Sequence, residues 1–119
     1  PMTDSPLDLI GFDALLIGEE RATRDLVRAY VDAELRPRIA EWYEAGVFPT
    51  EIIKTMGALG LLGMHLQGYG CAGRSAVEYG LAAAELEAGD SGLRTVVSVQ
   101  GSLAMTAIHS FGSEEQKQE

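Results

Sequence analysis

Apolar and polar positions along this chain recur with the period of a helix rather than a strand. Between residues 18 and 36, Leu26, Val27, Tyr30, Val31 and Leu35 fall on one face, while Arg21, Arg24, Asp25, Arg28, Asp32 and Glu34 fall mostly on the other. The stretch is therefore predicted to be an amphipathic helix. Pro37 follows; it lacks an amide hydrogen and disfavours helical geometry at Arg36, so a break or kink is expected there. Ile39 and Trp42 suit a short second turn or helix that ends at Gly46. Pro49 suits the first turn of the next helix, with Ile52, Ile53, Met56 and Leu59 as its apolar face. Gly57, Gly60 and Gly63 fall three apart, and a helix ending near Leu59 accounts for them, because Gly is common just past a helix C-terminus.

Gly68-Tyr-Gly-Cys-Ala-Gly73 reads as a loop. No Lys-Ser or Lys-Thr follows it and no strand pattern precedes it, so it is not a phosphate loop. Residues 75–88 are rich in Ala and Leu, with Glu78, Glu85 and Glu87 as their only charges, and are predicted to form a mostly buried helix. After a turn at Gly89-Asp90-Ser91-Gly92, residues 91–111 contain valines compatible with a strand. The apolar and small residues run too long for an ordinary strand of about 5–6 residues, so a helix is predicted. Gly112 should terminate it. Ser113-Glu-Glu-Gln116 then matches a capping box that opens a further helix. A helix of barely one turn has no cooperative stability, so the chain is expected to be a piece of something longer. Residues 1–17 read as an N-terminal arm that packs its Leu and Phe side chains, and residues 18–119 as the helical domain.

Composition narrows the functional classes. A chain of 119 residues, 46% hydrophobic, can bury a core as one domain. A formal net charge of -9 argues against nucleic acid or an anionic membrane as partner. No apolar run approaches the roughly 20 residues that span a bilayer, and the acidic start lacks a signal-peptide pattern, so a cytoplasmic location is expected. Cys71 is alone, which excludes an intrachain disulfide, and with only His65 and His109 beside it a zinc site is not expected.

Candidate chemistry concentrates between residues 85 and 105. Arg94 and Ser98 stand one turn apart on an otherwise apolar surface, and a lone guanidinium there needs a partner. Glu87, across the turn, can supply one and an anionic ligand another. A structural ion pair between adjacent helices is the plainer reading of Arg94 and Glu87. Ser98 can equally be a helix hydroxyl bonded to its own backbone. His65 and His109 read as loop and helix-surface residues, Cys71 as a small packed side chain, and Trp42 with Tyr43 as anchors of a packing face.

The residues resemble a known family. Glu20-Arg21, Arg36-Pro-Arg38, Met56-Gly-Ala-Leu-Gly-Leu-Leu-Gly63, Gly68-Tyr-Gly-Cys-Ala-Gly73, Asp90-Ser-Gly-Leu-Arg94, Ser98-Val-Gln100 and Phe111-Gly-Ser-Glu-Glu-Gln116 together resemble the amino-terminal helical domain of flavin-dependent acyl-CoA dehydrogenases. The glycine loop at 68–73 and the 91–100 run are most similar to the glutaryl-CoA branch. The resemblance implies an all-α fold, the N-terminal helical bundle of an acyl-CoA dehydrogenase, ending before the β-domain. It also implies a parent oxidoreductase that carries FAD, forms a homo-oligomer, and oxidises an acyl-CoA thioester, with or without decarboxylation to crotonyl-CoA. The catalytic base and most of the FAD site would lie in parts absent from this chain, so no residue here is a candidate base and the chain alone is expected to be inactive.

By the same resemblance, Arg94 would hold the distal carboxylate of glutaryl-CoA, Glu87 would orient Arg94, and Ser98 would hydrogen-bond near that carboxylate. Thr95, Val99 and Leu103 would flank the acyl chain. The residues suit the task, since a guanidinium offers planar paired donors to a carboxylate. Leu93 stands where the family often has an aromatic residue, and Thr95 and Gly101 stand where it often has Ser. The competing readings are a non-catalytic helical interaction module and a dehydrogenase of other chain specificity.

Overall fold

The computed structural model describes residues 11–119. The first part of the N-terminal arm, 1–10, lies outside the described residues; the remainder forms a 3₁₀ turn, Phe12–Leu15, with Leu16 buried. Every regular element among the described residues is helical.

Helix α1, Gly18–Tyr30, opens where the Glu20 carboxylate accepts from the Ile17 N–H at 2.9 Å. The chain does not break at Pro37. It widens beforehand into a π segment, Val31–Leu35, and resumes as α2, Arg36–Ala45, with the proline in its first turn. The Arg36 amide reaches back to the Val31 carbonyl across this wide turn. A proline costs the helix one donor, and the shift of pairing ahead of it lets the axis continue. Gly46, at φ 64°, ends α2. Pro49 lies outside the next helix: α3 runs Glu51–Ala58, and Pro49 contributes its carbonyl to the Ile52 amide. Gly60 at φ 78° turns the chain just after α3, and Gly68, Gly70 and Gly73 are also left-handed in the irregular stretch that follows.

Helix α4, Ala76–Gly89, is capped by Ser75, whose hydroxyl accepts from the Glu78 amide at 3.2 Å. It is less buried than its composition predicts. Glu78, Leu81, Ala82 and Leu86 face inward, while Val77 is exposed. The expected four-residue turn shrinks to Asp90 alone, which ends α4 and caps α5, Ser91–Ser98, by accepting from the Leu93 amide at 3.0 Å. A second π segment, Val99–Met105, carries the helix into α6, Thr106–Phe111. After Gly112, Ser113 and Gln116 form the predicted capping box at the head of α7, Glu114–Gln118.

The core joins Val27, Val31 and Leu35 to Ile52 and Met56, Leu61 and Met64, Ala82 and Leu86, and Leu93 and Val97. α1 lies along α4, and α4 along α5. Polar links stitch the first pair. Thr23 donates to the buried Glu78 carboxylate at 2.6 Å, and Arg28 grips both oxygens of Glu85 at 3.1 and 2.8 Å. Trp42 packs against the core with Arg38 4.7 Å above its ring, but Tyr43 stands in solvent. The molecule is a slab of 49 × 39 × 19 Å, about two helices thick.

Candidate functional site

Arg94 leaves the first full turn of α5, and the one-residue corner at Asp90 brings it opposite the last turn of α4. Its Nε donates to Glu87 Oε2 at 2.7 Å, and its Nη1 makes a long contact of 3.5 Å with Ser98 Oγ. The three residues read from the sequence as one cluster are brought together. The Arg94 and Glu87 side chains are 35% and 48% exposed, so the pair sits at the rim of the slab within reach of a ligand. Two contacts occupy only part of the guanidinium fork, and the rest can take a second anion.

The flanking residues divide. Thr95 spends its hydroxyl hydrogen on the Ser91 carbonyl at 2.8 Å, a backbond within the helix, whereas Ser98 faces Arg94 rather than its own backbone. Val99 and Leu103 are 48% and 66% exposed. The site is thus an open wall: a cation and its counter-ion at one end, apolar side chains along the other. Three surface hollows of about 400, 420 and 190 Å³ lie elsewhere, and none is lined by these six residues.

Sequence reasoning missed the group behind this wall. His65 Nε2 lies 3.1 Å from Thr106 Oγ1, and Thr106 donates to the Gly101 carbonyl at 2.7 Å. Tyr79 meets the His65 ring edge-on at 4.8 Å and shares a 2.9 Å hydrogen bond with Ser102. A Cβ on Gly101 would stand 3.3 Å from the Gly63 amide nitrogen. The glycine therefore allows the helix to press on that loop. Only the hydroxyl of Thr106 in an apolar run could have hinted at this. His109 bonds the Gln67 carbonyl at 3.0 Å, and the Tyr69 hydroxyl bonds the Glu114 carboxylate, which holds the phenol above its ordinary pKa. Among the described residues no group of three or more His, Cys, Asp or Glu is placed to hold a metal, and no helix is long and apolar enough to cross a membrane.

Comparison with known proteins gives the arrangement a context. The profile of the family "Acyl-CoA dehydrogenase, N-terminal domain" matches residues 18–119. A crystal structure of glutaryl-CoA dehydrogenase from Mycobacterium smegmatis is 65% identical, with a TM-score of 0.89 over 92% of this chain and 29% of that one. Another glutaryl-CoA dehydrogenase structure from Mycobacterium smegmatis, in complex with FADH2, is 56% identical, with a TM-score of 0.92 over 97% of this chain and 30% of that one. Among curated relatives, the short-chain specific acyl-CoA dehydrogenase of Clostridium acetobutylicum is 35% identical over 107 residues, 89% of this chain and 28% of the relative. The chain thus spans under a third of the length of these proteins. It is all-helical among the described residues, its sequence matches from Gly18 onward, and its backbone superposes on theirs: the chain belongs to the acyl-CoA dehydrogenase family, through the N-terminal helical domain.

Proposed function

We propose that this domain forms the acyl-side wall of the substrate site in an FAD-dependent dehydrogenase that acts on glutaryl-CoA. The observation that carries the reading is Arg94, paired with Glu87 at 2.7 Å and still partly open, at the head of an exposed apolar column. A dicarboxylic thioester has the matching pattern, a methylene chain ending in a carboxylate. In the empty site Glu87 offsets the charge of Arg94, and on binding the substrate carboxylate takes the remaining donors in charge-assisted hydrogen bonds. Val99 and Leu103 exclude water from the methylenes, Thr95 borders them, and Ser98 donates its hydroxyl toward the carboxylate.

The flavin, when bound in the longer polypeptide, supplies oxidation of the bond between the carbons α and β to the thioester. Every regular element among the described residues is helical, and a flavin cradle built on strands would belong to the rest of the longer polypeptide. The domain's own work is to bind, orient and discriminate. A homo-oligomer is part of the same family-based proposal.

A second reading, oxidation of a short monocarboxylic acyl-CoA, is favoured by the short-chain specificity named for the Clostridium relative. One experiment separates the two. In the full-length polypeptide, loaded with FAD, Arg94→Met is expected to lower kcat/KM for glutaryl-CoA relative to butyryl-CoA by about 10- to 100-fold, the worth of a hydrogen bond to a charged group. An unchanged ratio would sink the glutaryl reading and leave the short-chain one.

A further inference from the structure

The helix behind the proposed wall is not uniform, and its irregular part falls in the middle of the site. Thr95, Val99 and Leu103 are four residues apart. At 3.6 residues per turn each such step overshoots by about 40°. The stretch Val99–Met105 is π-wound, and a turn closed by i→i+5 pairing undershoots instead. The two drifts offset, and the three side chains stand in one column.

What holds the wide turn is visible. The Thr106 amide and hydroxyl both go to the Gly101 carbonyl. A hydroxyl has a single proton, and that of Thr106 is committed to Gly101, so toward His65 it can only accept. His65 Nε2 is therefore the donor to Thr106. Its Nδ1 is left buried without a partner. An orphaned ring nitrogen is destabilising, so Nδ1 is not what places the ring. It is placed by Thr106 on one edge and Tyr79 on its side, while Gly101, having no side chain, lets the wide turn lie close to the Gly63 amide.

We propose that His65 and Thr106 are positioning residues for acyl selectivity: by holding the wide turn at 99–105 they keep Leu103 in line with Thr95 and Val99, and so set the length of acyl chain the wall accepts. The proposal rests on the acyl-wall reading above. Without the hydroxyl the segment regains ordinary α pairing, and Leu103 swings out of the column.

The test uses the full-length, FAD-loaded polypeptide carrying Thr106→Val, Thr106→Ser or His65→Phe. The last keeps a ring against Tyr79 but removes the donor, and serves if the valine variant does not fold. Two readouts are taken: amide exchange across 99–105 by mass spectrometry, and kcat/KM over a series of monocarboxylic CoA thioesters of rising length. Thr106→Val and His65→Phe are expected to speed local exchange about tenfold and to shift the ratio between neighbouring lengths by roughly tenfold, while Thr106→Ser restores both. Faster exchange with a flat length profile would overturn the proposal, as would exchange that does not change. Because the series carries no distal carboxylate, it reports independently of Arg94. Failure of the glutaryl reading, seen with Arg94→Met, is thereby distinguishable from failure of this one.

Discussion

Gly89 sits where α4 crosses the first π segment, and a Cβ built on it would come 2.6 Å from Val31 Cγ1. Val31 is fully buried and β-branched, with little rotamer freedom in a helix. Gly89→Ala is expected to destabilise the fold by about 1–3 kcal/mol, the usual cost of overpacking. Val31→Ala in the same background should recover much of it, which a double-mutant cycle on thermal unfolding would show as a coupling term. From the sequence Gly89 reads only as a turn residue; its real constraint comes from a side chain on another helix, and no local pattern carries that. Arg94 was legible for the opposite reason. Its partners Glu87 and Ser98 lie within two helical turns of it, so spacing alone could bring the three together.

At the level of elements, Asp13 ties the 3₁₀ turn to α1. It pairs with Arg24 and lies 3.6 Å from Arg21. The hydrogen bond from Arg24 holds its carboxyl below the ordinary 3.8. A folded-state value below the unfolded one stabilises the fold above about pH 4, and that contribution is lost as pH falls through the folded value. Unfolding midpoints measured between about pH 5 and 2 should fall more steeply for the parent than for Asp13→Asn, with the difference closing at the acid end. A parent and variant with parallel profiles would remove Asp13 from the acid response. The helices containing residues 18–36, 75–88 and 91–111 were legible because hydrophobic spacing is a coarse signal. The two π segments were not, since one extra residue in a turn displaces the apolar stripe by less than its own width. Pro37 illustrates the point: its missing donor is a local fact, but whether the chain breaks or widens depends on the core that Val31 and Leu35 join.

At the scale of the molecule, the last long helical run leaves large apolar side chains uncovered. Val99, Leu103, Ile108 and Phe111 are all exposed, the last 91%. Apolar surface of this kind favours association. The isolated chain is expected to self-associate as concentration rises, with size-exclusion elution moving earlier, and Leu103→Ser with Phe111→Ser should reverse the shift. A monomer at every concentration would show that these side chains are not adhesive. The corner at Asp90 has its own consequence. One residue closes α4 and opens α5, so there is no spare backbone between Glu87 and Arg94. Lengthening the chain at this corner by even a single amino acid would pull the carboxylate and the guanidinium apart, so under the proposed acyl-wall role this pair can be retuned by exchanging side chains but not by insertion.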